Sequence, residues 1–545
     1  MLLLNDDISK YSKEVAKGSM WSLLGNAAFK LSSFFYVILI ARMASQEDIG
    51  LFYAGLAIVG LVELFSHVGY PTVMQRYVPY YIGKEQYGKV RHLLKFGYIL
   101  LAATGLIAIA ALWFGADAIA EFYEQPLLAG AIRMFSAYIL LNSVLRLHLL
   151  YLQGRTDIRS MQFVGNSQNF LKLVITFVLF YLYGASLEVL VAGLLSSILV
   201  AVVISTPIIY RKVIDLPKSA ETIPRKEIVK EIAPFGLVMT FITTLWVIAG
   251  SFDRLFLLYL ADDPVVTVAI YSIAVTFAGV LMQLPVSVGT IFLPIMSRLA
   301  GQKNYKEMRE TTETASRWTL FITIPAAIVM ILFAADILAM FYGEPYRPGG
   351  MVMAILTLAF LIRSFSFMIT LLLMAIRKVY IELKVSLIVN GLNVAMNILL
   401  IPIYGMEGAA AATLLGFVVM FFLIYYYAKK LFRFTFSMQI YKTMLAGLTA
   451  FLVLMLIVPV ITSIPLPVIG GEDMQFISSK VVFLAYLSLL GVLALAVFLL
   501  FLLLFRCINR DDIILMKKAL KRFYVPSFLI SLAEKILSYG LERKK

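Results

Sequence analysis

The sequence predicts an all-α, polytopic membrane protein with 14 transmembrane helices, arranged as two pseudo-symmetric six-helix lobes plus two extra C-terminal helices. Three observations support this fold class. Of the 545 residues, 61% are hydrophobic and 14% are charged, whereas soluble globular proteins have roughly 25% charged residues. Apolar runs of about 20 residues, long enough to cross a bilayer, recur along the chain. Short motifs of the first half also return, in the same order, in the second half.

The predicted spans follow one another through most of the chain. Each is an apolar run bounded by polar or charged loops, and its boundaries are uncertain by a few residues. The spans are about 19–41, 50–72, 95–115, 128–152, 160–183, 187–210, 234–260, 265–295, 317–335, 350–375, 381–402, 407–428, 441–464 and 480–505.

Most of the 47 lysines and arginines fall in loops that would lie on one side of the membrane. By the positive-inside rule that side is the cytoplasm, so both termini are predicted to be cytoplasmic and the protein to lie in the plasma membrane. The same distribution explains the net charge of +15 without a nucleic acid partner. The predicted organisation is a cytoplasmic segment (1–18), an N-terminal lobe (19–210), a cytoplasmic linker (211–233), a C-terminal lobe (234–428), helices 13 and 14 (429–505) and a basic amphipathic cytoplasmic tail (506–545).

The two lobes are predicted from paired loops. FYEQP at 122–126 matches FYGEP at 341–345, and GKEQYGKVR at 83–91 resembles GQKNYKEMR at 301–309. Because each half would hold six spans, the halves have the same topology and are related by an axis along the membrane normal.

A polar stripe appears in one predicted helix of each lobe. Its members are three or four residues apart, which places them on one helical face. In the first helix they are Gln162, Asn166, Asn169, Lys172 and Thr176, and in the second they are Ser386, Asn390, Asn393 and Asn397. Such residues either line a cargo cavity or hydrogen-bond neighbouring helices. Lys172 aligns with Asn393, and a hydrogen-bonding role would not require its charge.

Basic residues outnumber acidic residues inside the predicted spans. The basic ones are Lys30, Arg133, Arg146, Lys172, Arg254 and Arg363, and the clear acidic ones are Glu63 and Asp253. A charge at mid-bilayer costs about 2.5–3.5 kcal/mol on insertion scales, so it normally faces the protein interior. The surplus therefore predicts a cationic cavity for an anionic cargo, lined by Lys30, Lys172, Arg363, Arg146 and Arg254. The alternative is structural ion pairing with the two acids, and Arg133 is close enough to the membrane surface to reach water.

Glu63 and His67 are four residues apart and share a helical face. A carboxylate beside an imidazole could carry a coupling proton. The favoured interpretation is that Glu63 balances Lys30 or another base. With Asp253, these residues are the candidates for coupling to H⁺ or Na⁺, or for charge balance.

Motifs of enzymes and metal sites are absent from the sequence. There is no Walker, GxSxG, HExxH or CxxC motif, and the one cysteine and three histidines show no metal-ligand spacing. We therefore expect no enzymatic activity, no metal and no cofactor. A membrane glycan polymerase or ligase is disfavoured as well, because the loops between the predicted spans are short.

Several stretches resemble the polysaccharide flippases of the multidrug/oligosaccharidyl-lipid/polysaccharide exporter superfamily. LNVAMNILLIPIYGMEGAAAATLLGF at 392–417 looks like a characteristic segment of that family. IFLPIMSRLAGQKNYKEMRE at 291–310, FDRLFLLYLADDPVVTVAIYSIA at 252–274 and ARMASQEDIGLFYAGLAIV at 41–59 resemble its helix crossings and loops. The resemblance covers most of 15–430.

The resemblance implies a flippase that carries a polyprenyl-(pyro)phosphate-linked oligosaccharide from the inner to the outer leaflet by alternating access of two lobes. It also implies that helices 441–464 and 480–505 form a groove for the lipid tail. Expected partners are the lipid-linked oligosaccharide, membrane lipids and a coupling ion, and we expect a monomer. The alternative is a drug or cation antiporter of the same fold. The surplus of basic residues in the spans disfavours it, whereas the acids Glu63 and Asp253 favour it.

Overall fold

The computed structural model describes residues 25, 28–67, 70–217, 232, 250–376, 378–462, 472–508, 512–513, 517, 528, 531 and 534–535. Regular structure within these residues is helical, as predicted, and no β-strand occurs among them. The helices are α1 (28–43), α2 (Gln46–His67), α3 (Tyr70–Gly83), α4 (Tyr87–Phe122), α5 (Leu127–Gly154), α6 (Ile158–Tyr183), α7 (Leu187–Ile214), α8 (250–260), α9 (Pro264–Ala278), α10 (Gln283–Gly301), α11 (Tyr305–Leu332), α12 (Ala334–Tyr342), α13 (Gly350–Ala375), α14 (Val379–Phe432), α15 (Met438–Thr462) and α16 (Glu472–Leu504).

Eleven helical stretches in the described part of the chain are long and apolar enough to cross a membrane. A multi-pass membrane protein is therefore confirmed, whereas the count of fourteen spans stays a prediction. The first and seventh predicted spans, 19–41 and 234–260, lie partly outside the described residues. The segment 1–18 and most of the linker 211–233 lie outside them as well.

Two helices of the first half have different boundaries from those predicted. The span expected at 50–72 is α2, which ends at His67, followed by α3 from Tyr70. The span expected at 95–115 is part of α4, which is 36 residues long. Hydropathy marks only the apolar part of a helix, whereas the i to i−4 hydrogen bonds of the backbone continue into its polar flanks.

The paired loops have matched backbones as well as matched sequences. Glu85 (φ 58°) and Lys303 (φ 57°) occupy the same position in the two copies of the first loop motif. Glu124 (φ 54°) and Gly343 (φ 114°) occupy the same position in the second. Positive φ is uncommon for residues other than glycine, so its recurrence at corresponding positions supports the internal repeat.

Helix α14 contains a break at Gly405. The backbone there has φ 55° and ψ −131°, although helical hydrogen bonding continues on both sides. The break lies between the predicted spans 381–402 and 407–428. In the first half, Gly184 follows an equivalent tyrosine and also has positive φ, 83°. Glycine suits both positions because it lacks a Cβ.

The chain divides into two compact units, each described here by itself. The first comprises Met1–Ile273, Phe341–Tyr346 and Asn393–Ala409, and the second comprises Ala274–Met340, Arg347–Leu392 and Ala410–Lys545. In the first unit, α5 packs against α2, α4 and α7, and α6 packs against α7. In the second, α11 packs against α13, α15 and α16. The predicted lobes 19–210 and 234–428 stay predictions.

An aromatic stack joins three segments of the second unit. The ring of Phe436 lies 4.7 Å from that of Phe365 in α13 and 4.9 Å from that of Tyr425 in α14. Phe421 stacks on Phe365 at 5.2 Å. Because lipid is as apolar as these rings, the gain comes mainly from close van der Waals packing. The stack fixes the turn that leads from α14 into α15.

The C-terminal tail contributes a buried acid to the second unit. Asp512 is 3% exposed and forms a 2.7 Å ion pair with Arg317 of α11. The indole Nε1 of Trp318 donates to the same carboxylate at 3.1 Å. The amphipathic tail predicted for 506–545 did not include this anchor, because aspartates in a basic segment resemble solvent-exposed residues.

Substituting Gly50 with alanine is expected to destabilise the first unit by about 1–3 kcal/mol, the usual cost of overpacking. A Cβ at Gly50 would lie 2.0 Å from the carbonyl oxygen of Val265, whereas a Cβ at Gly60 of the same helix meets nothing within 4 Å. Thermal unfolding in detergent should show a lower midpoint for Gly50→Ala. Gly60→Ala is the matched control and should unfold at or slightly above the parental temperature, because alanine favours the helix. Equal midpoints for the two variants would contradict the close approach.

Candidate functional site

Lys172 lies inside the membrane-spanning helix α6 and contacts Tyr36 of α1. Its Nζ is 4.3 Å from the centre of the tyrosine ring, a cation–π arrangement. Among the described residues, Lys172 makes no ion pair and no hydrogen bond. An intramembrane base normally faces an acid, a carbonyl or water. Within the described part of the chain, the ring of Tyr36 is thus the polar or aromatic partner that the charge of Lys172 has.

Two buried hydroxyl groups lie beside this lysine. Tyr36 is 3% exposed and Thr176, one helical turn after Lys172, is fully buried. Thr176 neighbours the Tyr36 hydroxyl, but neither oxygen completes a hydrogen bond. A buried polar group without a partner costs about 1–3 kcal/mol. The ammonium and the two hydroxyls together could bind an anion. Thr176 belongs to the predicted stripe, whereas nothing in the sequence distinguished Tyr36 from other tyrosines in spans.

The remaining stripe residues of α6 hydrogen-bond mainly within their own helix. Asn169 donates to the carbonyl of Gly165 at 3.1 Å, and Asn166 donates to Gln162 Oε1 at 3.4 Å. The bond from α6 to α7 comes instead from Gln168, which donates to the Ser197 hydroxyl at 3.3 Å. The observed bonds of Asn166 and Asn169 therefore give no support to a role in joining helices.

A cavity of about 990 Å³ lies where α1 meets the first half of α6. Its residues come from α1, from α6 and the residue that caps it, and from the end of α7. They are Gly25, Ala28, Ser32, Asp157, Arg159, Ser160, Gln162, Phe163, Asn166, Ser167, Phe170 and Lys212.

Asp157 shapes one end of this cavity. It caps α6 by accepting a hydrogen bond from the Ser160 amide at 3.1 Å, and it pairs with Lys212 at 2.7 Å. Burial by itself would raise the pKa of this carboxyl, but the hydrogen bonds from Lys212 and Ser160 outweigh burial and hold the pKa below its usual value. Asp157 is therefore ionised at neutral pH and neutralises Lys212.

Glu63 and His67 face each other as predicted, buried between α2 and α5. His67 Nε2 is 3.4 Å from Glu63 Oε1 and 2.8 Å from the Ser143 hydroxyl. Ser143 gives its one hydrogen to the carbonyl of Ile139, so it accepts from His67, and Nε2 carries the hydrogen. Glu63 accepts a 2.6 Å bond from Asn142.

Arg146, a predicted cavity residue, interacts electrostatically with Glu63 and His67. Its side chain is exposed, and Tyr138 lies in the same cluster. Arg146 is therefore a candidate for the base that Glu63 balances. Whether the pair also carries a coupling proton stays a prediction.

Asp253 and Arg254 point in different directions and have different partners. Asp253 is 7% exposed and accepts hydrogen bonds from Tyr271 at 2.7 Å and from Asn397 at 2.8 Å. Asn397 also donates to Asn393 of its own helix at 3.0 Å. The bond from Asn397 to Asp253 joins α14 to α8, so part of the second stripe joins helices. Asn390, the other asparagine of the second stripe, is half-buried.

Arg254 is largely engaged within the first unit. It donates to the Ser272 hydroxyl and to the carbonyl of Gly250, each at 2.9 Å, and lies over the ring of Tyr53 at 5.8 Å. These contacts satisfy part of the guanidinium, so Arg254 presents less free charge than Lys172.

Arg363, in the second unit, is 6% exposed and interacts electrostatically with Glu382. It also lies 5.7 Å from the ring centre of Phe367. The sequence prediction counted only Glu63 and Asp253 as acids within the spans, and that count is corrected here. Glu382 was left out because it stands at the edge of its apolar run, where hydropathy indicates solvent.

The other bases lie nearer to the surface. Lys30 is exposed, with its Nζ 5.6 Å from the ring centre of Phe29. Arg133 pairs with Asp117, whose side chain is 73% exposed. The described residues contain no group of three His, Cys, Asp or Glu side chains that could hold a metal ion.

Known proteins resemble this chain, two of them along more than three quarters of its length. The family described as polysaccharide biosynthesis protein matches residues 38–349. An uncharacterized membrane protein of Methanocaldococcus jannaschii is 25% identical over 78% of this chain and 86% of its own length. The lipid II flippase MurJ of Bacillus subtilis is 21% identical over 80% of this chain and 86% of its own. The probable flippase AglR of Haloferax volcanii is 26% identical over 27% of this chain and 32% of its own.

Solved structures share the fold. The lipid II flippase MurJ in an inward closed conformation has a TM-score of 0.65, covers 88% of this chain and 97% of its own, and is 18% identical. An inward-facing multidrug resistance transporter of the MATE family has a TM-score of 0.63 over 74% of this chain and 93% of its own, at 15% identity. At these identities the likeness concerns the fold alone. Because the family match spans more than half of the residues, the chain belongs to the polysaccharide biosynthesis protein family, the lipid-linked flippase family that the sequence motifs resemble.

Proposed function

We propose that this protein translocates a polyprenyl-(pyro)phosphate-linked oligosaccharide from the inner to the outer leaflet of the plasma membrane. Transport proceeds by alternating access of two lobes, in a monomer whose termini are both cytoplasmic. The observation that carries the proposal is Lys172, an intramembrane ammonium with no acidic partner in the described part of the chain. The flippases among the curated relatives support the same activity.

The energetics of Lys172 favour an anionic cargo. A charged side chain at mid-membrane costs about 2.5–3.5 kcal/mol on insertion scales, and a ring contact returns about 2 kcal/mol when desolvated. The buried hydroxyls of Tyr36 and Thr176 add the cost of two unsatisfied groups. A phosphate oxygen between the ammonium and these hydroxyls would satisfy all three. Binding of the cargo would then recover this free-energy cost.

The second candidate is a cation or drug antiporter. Asp253 favours it, because this carboxylate is buried and bound by the neutral donors Tyr271 and Asn397. Such a transporter would need acids free to bind a cation, whereas Glu63 and Glu382 both interact with arginines. Lys172, by contrast, has no acidic partner among the described residues, so its ammonium is available for an anion.

The test is a translocation assay in liposomes. The purified protein is reconstituted with a polyprenyl diphosphate-linked oligosaccharide whose sugar carries a fluorophore, and an impermeant quencher reports the exposed fraction. We expect protein-dependent transfer of the inner pool and recovery of the lipid at unchanged mass, because no covalent step is involved. Imposed proton and sodium gradients would identify a coupling ion. Transfer equal to that of protein-free liposomes, together with uptake of an organic cation, would favour the antiporter.

A further inference from the structure

The cavity between α1 and α6 has the chemistry of a carbohydrate site. Its volume of about 990 Å³ is at the upper end of the range for small-molecule sites, roughly 300–1,000 Å³. Around Gln162 and Asn166 it is lined by amides, serine hydroxyls and aromatic rings. Sugars present hydroxyl groups at their edges and C–H groups on their faces, so they need both kinds of surface.

Two of the three charged residues of the cavity, Asp157 and Lys212, neutralise each other. Asp157 and Lys212 form a 2.7 Å ion pair, and Arg159 is engaged with other groups. A phosphate bound here would have to compete with Asp157 for Lys212. The cavity therefore favours a neutral, hydroxyl-rich ligand over a diphosphate.

Its amide and hydroxyl groups have unused hydrogen-bonding capacity. Among the residues that the structure describes, the side-chain oxygen of Asn166 is buried without a partner, and its nitrogen makes only the long 3.4 Å bond to Gln162. The part-buried hydroxyls of Ser32 and Ser167 also make no hydrogen bond within the described chain. Buried polar groups are normally satisfied, so the Asn166 oxygen is suited to a donor of a ligand, and the two hydroxyls can bind further polar groups.

Two phenylalanines supply the apolar surface. Phe163 and Phe170 line the cavity, and each remains 57% exposed. Gly25, which precedes α1, brings the backbone close to Gln162 of α6, because a Cβ there would be 2.3 Å from Gln162 Oε1. Aromatic rings could cover the C–H faces of sugars while the amides bind their hydroxyls.

We propose that this cavity is the saccharide subsite of the transporter, separate from Lys172, and that Asn166 is a specificity-determining residue for the sugar. This inference rests on the proposed function. Asn166 precedes Lys172 by six residues, or about 9 Å along the helix axis. A lipid-linked oligosaccharide would then be held at two places along α6, by its sugar in the cavity and by its phosphate at the lysine.

Cysteine protection tests the site directly. The one cysteine, Cys507, is buried, so Cys507→Ser provides a background for Ser167→Cys in the cavity and Gln302→Cys on the surface. The rate of labelling by a water-soluble maleimide is measured under three conditions: without ligand, with undecaprenyl diphosphate, and with a lipid-linked disaccharide that the protein transports in the translocation assay. The sugar-bearing lipid should slow labelling of Ser167→Cys several-fold, undecaprenyl diphosphate should not, and Gln302→Cys should be unaffected. Equal protection by undecaprenyl diphosphate would identify a lipid or phosphate site and overturn the proposal.

A matched pair of amide variants gives a second readout. Asn166→Leu should raise the half-saturating concentration of the lipid-linked disaccharide by about 3- to 10-fold, the effect of losing one or two hydrogen bonds. Gln168→Leu, on the same helix but bonded to Ser197 outside the cavity, should leave it unchanged. Normal transport by Asn166→Leu without protection of Ser167→Cys would reject the subsite and keep the flippase.

If no lipid-linked oligosaccharide is translocated, the proposed function itself fails. In that case, free disaccharide is tested for protection of Ser167→Cys against maleimide labelling. If it gives no protection, the saccharide site is rejected.

Discussion

Translocation of lipid-linked oligosaccharide is expected to fall by about 10- to 100-fold when Lys172 is replaced by methionine. The factor corresponds to about 1.5–3 kcal/mol for a hydrogen bond to a charged group. Methionine preserves the length and apolar body of the side chain and removes only the charge. The liposome assay of the proposed function measures this loss as an initial rate at subsaturating lipid.

The same substitution should not destabilise the protein. No described acid pairs with Lys172 and would be left unpaired, and removing a charge from the membrane relieves its insertion cost. Lys172→Met should therefore unfold at or above the parental temperature while transport falls. This separates a cargo contact from a structural ion pair, which would lose stability and transport together.

Arg133→Met is the control for charge removal, because Arg133 pairs with a largely exposed acid. It should transport at the parental rate. Tyr36→Phe keeps the ring under Lys172 and removes one hydroxyl, so it should cost less than Lys172→Met. Parental transport by Lys172→Met would reject the anion site and leave the family and the fold intact.

Loss of the tail anchor is expected to give the largest change in stability. Asp512→Ala should lower the free energy of unfolding of the second unit by about 3–5 kcal/mol, the usual cost of leaving a buried charge unpaired. Both side chains of this ion pair are 4% exposed, and the Arg317 Nε already lacks a hydrogen-bond partner. Thermal unfolding in detergent should show a clearly lower midpoint.

Two further variants distinguish the ion pair from a general effect of mutation. The double substitution Arg317→Met with Asp512→Leu should recover most of the lost stability, because neither charge then remains buried. Arg347→Met removes one partner of the exposed pair with Asp336, whose side chains are 49% and 40% exposed. Exposed pairs contribute at most about 1 kcal/mol, so this variant should unfold near the parental midpoint. A double variant as unstable as Asp512→Ala would contradict the unpaired-charge explanation.

Local regularities of the chain were readable without coordinates. The repeated loop motifs predicted equivalent positions, and Glu85 with Lys303 and Glu124 with Gly343 share the same uncommon backbone conformation. The four-residue spacing of Glu63 and His67 predicted the contact that is found. Each of these depends on a few neighbouring residues, whose conformations are fixed by helical geometry and turn chemistry.

Partners distant in sequence were not readable in this way. The sequence does not show that Glu382 is the acid near Arg363. It also predicts an amphipathic surface where Asp512 is buried against Arg317. Hydropathy scores each residue by its own type, so it does not report a charge that is buried because a partner neutralises it.

By itself, the sequence determined the membrane class, the all-helical fold, the internal repeat and the basic surplus within the spans. These follow from composition and short periodic patterns, since bilayer thickness and the helical repeat impose them on any chain. Only the tertiary structure decided which charges remain available. It neutralises Lys212 with Asp157 and Arg317 with Asp512, and it leaves Lys172 against the ring of Tyr36. The reason is that pairing depends on distances between side chains from different helices, which only packing determines.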